Sequence, residues 1–320
     1  MILHIHNGDA SADVAKQSAI PGEHFAWREA LIEGPASQVK TDEWRRRRAQ
    51  HLSDTYDVDL ADCEKESIAQ EQKLASFQKY DEVVLWFEHD LFCQVHLIHL
   101  LNWFAQQDPG ETKFSLVCIG GFPGRKNFRG LGELTPDEFA SLFSSRQVVT
   151  KEQFDLAARA WNGYSSSDPR DIETLLQTDT SSLPYLAPAL RGHLRRFPST
   201  INGLGLIENR ALHIIESGVK RFSELFRRFG ELEPVYGLGD SQFWWSLRRL
   251  ADANQPLLKI NEGTPQDAAI EITDLGRAVL NGKGDFVLLN GIDQWLGGVY
   301  LSDERNLWRW DEEAQRIVQT

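Results

Sequence analysis

Three short polar stretches carry the residue types that chemistry needs. Glu88-His89-Asp90 sets two carboxylates and an imidazole in three consecutive positions, the side chains of general acid and general base catalysis. Adjacent residues on a turn point different ways, so at most two of the three converge. Asn7-Gly8-Asp9, with Ser11 close behind, offers a glycine where backbone can approach a ligand, a carboxylate, and the amides of a helix start. The stretch GGFPGRKNFRGLG, residues 120–132, holds Arg125, Lys126 and Arg129 among glycines, the materials of a phosphate clamp. It is not a P-loop, because Asn127 follows Lys126 where Ser or Thr is required and no helix begins there.

Each stretch also has a purely structural use. Asp90 can cap a helix while Glu88 offsets the dipole at its N-terminus and His89 is solvated. Asn7 to Ser11 can be a turn closed by a serine cap, and the Arg125 segment a solvated loop. Both uses stand for each of the three at this level. Cys93, His96 and His99 lie at three-residue steps, about 300° apart on a helix, which spreads them around it and argues against a metal site. No cofactor is indicated. His4 and His6, two apart on a strand, are read as packed or edge histidines. The run of four arginines from Arg45 to Arg48 points to nearly all sides of a helix, so ion pairs are favoured over a nucleic-acid footprint.

Periodicity supplies the elements that must hold these residues. Val83, Val84, Leu85, Trp86 and Phe87 predict a buried strand, and Leu91, Val95, Ile98 and Leu101 an amphipathic helix straight after the charged corner. Further strands are predicted over 2–6, 25–32 and 113–119, the second interrupted by Arg28 and Glu29. Helices are predicted over 12–20 with Ser11 as cap, from Thr41, and over 59–77. Strands alternating with helices give an α/β fold with a parallel, Rossmann-like sheet and flanking helices over 1–133. Each polar stretch follows a strand, so all three should share the carboxyl rim where ligands bind in open parallel sheets.

Beyond residue 134 the pattern is helical, with capping signatures at Thr135-Pro136-Asp137-Glu138 and at Thr150 with Gln153. Residues 134–200 read as a helical connecting region, with linker candidates at 165–169 and 178–184. Residues 201–320 read as a winged-helix-like domain with a C-terminal tail: three helices, then PLLKI and AIEIT flanking the turn NEGTPQDA. In the third helix Gln242, Trp245, Arg248 and Arg249 are candidate DNA contacts, with domain packing as the alternative.

At 320 residues and 41% hydrophobic the chain can bury a large core. A formal charge of -13 sets it against nonspecific binding to nucleic acid or anionic membrane. Three cysteines with no CxxC pair disfavour a disulfide framework or zinc ribbon, and no run approaches the ~20 apolar residues of a membrane span. The expected location is the cytoplasm.

LHIHNGDASAD, FAWREALIEGP and VVLWFEHDLFCQ, in that order, resemble the bacterial family called domain of unknown function 1835. GLGLIENRALHIIESG, through ITDLGRAVL to DQWLGGVYLSDERNLWRW, resembles the tail usually found with it, so the likeness covers most of the chain. The resemblance implies no assigned activity. It marks Asn7, Gly8, Asp9, Arg28, Glu33, Glu88, His89, Asp90 and Gln94 as candidate rim residues. Cys93 stands where an acidic residue is expected before Gln94, and Ala10 where a small hydroxyl residue is common. Neither a carboxylate nor a hydroxyl nucleophile is therefore to be required at those two positions.

Two functional expectations follow. In the first, the α/β domain binds a small polar, phosphate-bearing ligand and hydrolyses it or transfers a group from it. Asp9 with Glu88 or Asp90 would hold a cation or act as acid and base, His89 would relay a proton, and Arg125 or Lys126 would hold the anion. In the second, the protein is a ligand-sensing regulator or interaction module whose winged helix binds DNA or protein. A purely structural protein would instead show no cleft at the rim.

Overall fold

Runs of β-branched and aromatic residues, each closed by a polar corner and a helix cap, fold the first half of the chain into strand–helix units. The computed structural model describes residues 1–39, 41–126, 128–261, 264–265, 268–302 and 307–320. In order come β1 (Ile2–Asn7), α1 (Asp9–Gln17), β2 (Glu23–Trp27), α2 (Asp42–Tyr56), α3 (Leu60–Ala75), β3 (Glu82–Glu88), α4 (Leu91–Ala105) and β4 (Lys113–Ile119). They are followed by α5 (Pro136–Leu142) and a two-residue edge strand, β5 (Gln147–Val148). The sheet order is β2-β1-β3-β4-β5, parallel except for β5. The fold is thus α/β, as the alternation of elements predicts.

Period-two alternation decides which face each side chain joins. Leu3, Ile5, Val83, Leu85 and Phe87 belong to the main core on the side of α4. Val84, Trp86 and Val117 belong to a second cluster with Ala15 of α1 and Phe139 of α5 on the other face. His4 and His6 share that second face and are fully buried, with ring centroids 6.0 and 5.8 Å from Trp86. The chain runs outward from β1 to β2 and then crosses to the other side of β1 for β3. The order therefore reverses between the carboxyl ends of β1 and β3, where Asn7 and Glu88 stand.

Three local expectations are corrected. The first helix starts at Asp9, with Gly8 as its N-cap at φ 90, so Ser11 lies buried in the first turn and caps nothing. β2 ends at Trp27, because the Gln70 side chain takes the amide of Arg28 (2.5 Å) and draws the chain off the sheet. α4 is not amphipathic but buried almost all round, its polar His96, His99 and Asn102 included. The cause is tertiary: α6 (Lys151–Tyr164) and α8 (Leu186–Leu194) pack over the side that would otherwise meet water.

After α7 (Arg170–Leu176), which falls between those two, come α9 (Leu206–Glu216), α10 (Phe222–Leu232) and α11 (Asp240–Ala251). A hairpin, β6 (Leu258–Ile260) with β7 (Ile270–Ile272), follows them. The turn NEGTPQDA includes 262–263 and 266–267, which lie outside the described residues. Then come α12 (Asp274–Leu280), α13 (Phe286–Asn290) and two more hairpins, β8 (Asp293–Leu296) with β9 (Val299–Ser302) and β10 (Trp308–Asp311) with β11 (Arg316–Gln319). Thr135 with Glu138 and Thr150 with Gln153 form the capping boxes their spacing predicts. One apolar core runs from Leu3 to Ile317. Among the described residues no helix is long and apolar enough to cross a membrane.

Candidate functional site

A cavity of about 920 Å³ opens at the switch point between β1 and β3, and all three polar stretches line it. The turn after β1 contributes Asn7 and Ser11, the corner after β3 contributes Glu88, His89 and Asp90, and the loop after β4 contributes Arg125, Lys126 and Arg129. Asn127 lies outside the described residues. A roof from the C-terminal third closes the fourth side, through Phe226 of α10 and the segment from Gly237 to Gln242 at the start of α11. Gly237, at φ 60, comes so close to Asp90 that a methyl group there would collide with its carboxyl.

Glu88 sits at the end of a directional chain of hydrogen bonds. The Leu31 amide donates to His96 Nε2 (3.0 Å), which leaves Nδ1 protonated and donating to Asn7 Oδ1 (2.6 Å). Asn7 Nδ2 donates to Cys93 Sγ (2.8 Å), and that thiol donates to Glu88 Oε2 (2.7 Å). The other carboxyl oxygen accepts the Leu131 amide (2.7 Å). Burial holds His96 down to about 3 and pushes the Cys93 thiol well above its usual range, so imidazole and thiol are both neutral near pH 7. Burial likewise pushes Glu88 up to about 7, and the charge of nearby Asp90 adds to the rise. Asp90 is raised by burial too, against the hydrogen bond it accepts from the Cys93 amide (2.8 Å) as N-cap of α4. Cap and site coincide: Asp90 holds the helix start and faces the cavity.

The cations divide. Arg125 lines the cavity with its guanidinium bound to Glu138 (2.6 Å). Lys126 and Arg129 form no ion pair among the described residues, and both line the cavity. The first turns of α1, α4 and α11 all reach the same space. Of these, α1 has no side-chain cap at its N-terminus, which leaves backbone N–H groups for an anion, whereas at α11 the Ser241 amide donates to Asp240 (2.7 Å) and the Gly239 amide to Gln242 (3.0 Å).

Five expected rim residues do not line the cavity. Asp9 is turned outward by Arg28, whose guanidinium also binds Glu66 (2.7 Å), so neither Asp9 nor Arg28 lines the cavity. Gly8 serves as the N-cap of α1. Glu33 accepts the Tyr56 hydroxyl (2.7 Å), and Gln94 lies behind the rim, donating to the Glu88 carbonyl (2.7 Å). Conversely, Tyr56, Phe92, Cys93 and the whole roof line the cavity without a signal in local pattern, apart from the turn-forming Gly237 and Gly239.

Three of the four candidate DNA contacts of α11, Gln242, Arg248 and Arg249, have partners within the protein. Arg248 pairs with Asp252 (2.8 Å) and Arg249 with Glu208 (3.6 Å). Buried Gln242 accepts the Gly239 amide (3.0 Å) and bonds the Tyr56 side chain, while Trp245 is exposed. Among the described residues no group of three or more His, Cys, Asp or Glu is placed to hold a metal ion. No family model matches the chain, and no match is found among curated proteins.

Proposed function

We propose that this cleft binds a small phosphate-bearing ligand, in a cytoplasmic protein of the kind called domain of unknown function 1835. Glu88 then moves a proton in a hydrolytic or transfer step, with Asp90 and His89 beside it. The observation that carries the proposal is a convergence. An uncapped helix N-terminus, that of α1, and two cations without an ion pair among the described residues open on one cavity, beside a carboxyl raised to about 7. The first two features favour an anion. The third gives an acid–base group matched to neutral pH, where proton transfer is most effective. The C-terminal helices, in their winged-helix-like order, act as the roof of this site and not as a reader of DNA. Free thiols at Cys63, Cys93 and Cys118 support the cytoplasmic placement.

Calorimetric titration at constant ionic strength with ribose 5-phosphate and inorganic phosphate tests the reading. Saturable binding is expected, and Lys126→Ala with Arg129→Ala should weaken it by roughly tenfold or more, the loss of at least one charge-assisted contact. No saturable binding to either probe, or unchanged affinity in the double variant, would sink it.

A further inference from the structure

Resting on that anion-site reading, we infer that the ligand has the build of a nucleoside monophosphate, a flat heterocycle at one end and a phosphate at the other. At about 920 Å³ the cavity lies near the top of the roughly 300–1,000 Å³ range of small-molecule pockets and leaves much space unused by a lone phosphate. The loop after β4 that carries Lys126 and Arg129 folds back over the site, its Leu131 amide on Glu88 and Gly132 against Ala10 of α1, while Ala30 after β2 and Tyr56 of α2 line another part of the wall.

Two aromatic rings join a wall that also carries Glu231, Glu233 and Asp240. Phe92 comes from the first turn of α4 and Phe226 from α10 in the roof, and both rings are half-buried. An aromatic heterocycle gains stacking and edge contacts from such rings whatever its hydrogen-bonding pattern. The amides that could read a base edge are already committed: Asn7 to Cys93 and His96, and Gln242 to Gly239 and Tyr56. Ring recognition therefore runs through stacking. His89 also lines the cavity, and its Nδ1, shielded from solvent, has no hydrogen-bond partner among the described residues. It is left for a hydroxyl of the sugar that joins ring and phosphate.

The test titrates the full chain with adenosine, ribose 5-phosphate, inorganic phosphate and the four nucleoside monophosphates at fixed ionic strength. At least one monophosphate should bind tenfold or more tightly than ribose 5-phosphate and than adenosine. Phe92→Ala should erase the advantage over ribose 5-phosphate while leaving ribose 5-phosphate itself bound as before. Phe92→Leu, which keeps an apolar side chain of similar reach, should fold normally and lose the same advantage. If monophosphates bind no more tightly than ribose 5-phosphate, or if both Phe92 variants keep the preference, the inference falls and the anion site stands. If none of the phosphate-bearing probes binds, both fall.

Discussion

Replacing Glu29 with alanine is expected to lower the unfolding free energy by about 3–5 kcal/mol, the cost of stranding one member of a buried ion pair. Glu29 binds the guanidinium of Arg48, whose side chain is 2% exposed. Burial alone would raise the Glu29 carboxyl, but the charge and hydrogen bond of Arg48 outweigh it and hold the group below its ordinary value. Arg48 also donates to the carbonyls of Ala30 (3.1 Å) and Glu33, so one cation organises the irregular chain after β2. That chain supplies Ala30 to the cavity wall and Glu33 to Tyr56. Without Glu29, Arg48 remains buried with only carbonyl partners. Urea unfolding at an unchanged m-value measures the loss. The double variant Glu29→Met, Arg48→Met should cost less than the two single changes summed, because no charge is left unpaired. A loss under about 1 kcal/mol for Glu29→Ala would mean that water reaches this pair.

The same residues show where local reading succeeds and where it stops. Arg28 and Glu29 look like interruptions of a strand, and they are where the strand ends. Nothing local foretells that Arg48, nineteen positions on, would bury itself against Glu29. The three polar corners were legible because a parallel strand followed by a helix places its corner on the carboxyl rim whatever the strand order. The cap of α1 was not legible. Ser11 has the right chemistry, but Gly8 can take a positive φ and starts the helix three residues early. Asp9 points away from the cavity and Lys126 lines it for one reason: the cation Arg28 lies within reach of Asp9, and among the described residues no carboxylate pairs with Lys126. The roof depends on contacts between residues about 150 apart, such as Asp90 against Gly237, which no periodicity encodes. Cys93 stands where the resemblance leads one to expect an acid. A neutral thiol there donates to Glu88, whereas a carboxylate would repel it.

That donor relation gives the second large effect. The contribution of Glu88 to stability should fall as pH rises from about 4.5 to about 7, and Glu88→Gln should abolish it. The folded-state pKa of Glu88 lies near 7, above its ordinary 4.5. Between those values the folded protein holds a proton that the unfolded chain has released. The part of the stability that Glu88 supplies therefore declines as pH rises through the window and is fully present only below it. A shift from 4.5 to about 7 corresponds to roughly 3 kcal/mol at most, part of it carried by Asp90, whose carboxyl titrates with Glu88. Glutamine reproduces the neutral side chain, so the variant should match wild type near pH 4.5 and exceed it by up to that amount at pH 8. His4 and His96, held near 4 and 3 by burial, pull the other way, because the unfolded chain gains their protons as pH falls below about 6.5. Both histidines are present in wild type and variant, so the difference between the two stability curves isolates Glu88. Urea melts at pH 5, 6.5 and 8 measure that difference, and parallel curves would show Glu88 to be ionised throughout. They would also remove its claim to be the proton carrier of the cleft, since an acid with an ordinary pKa is fully discharged at pH 7.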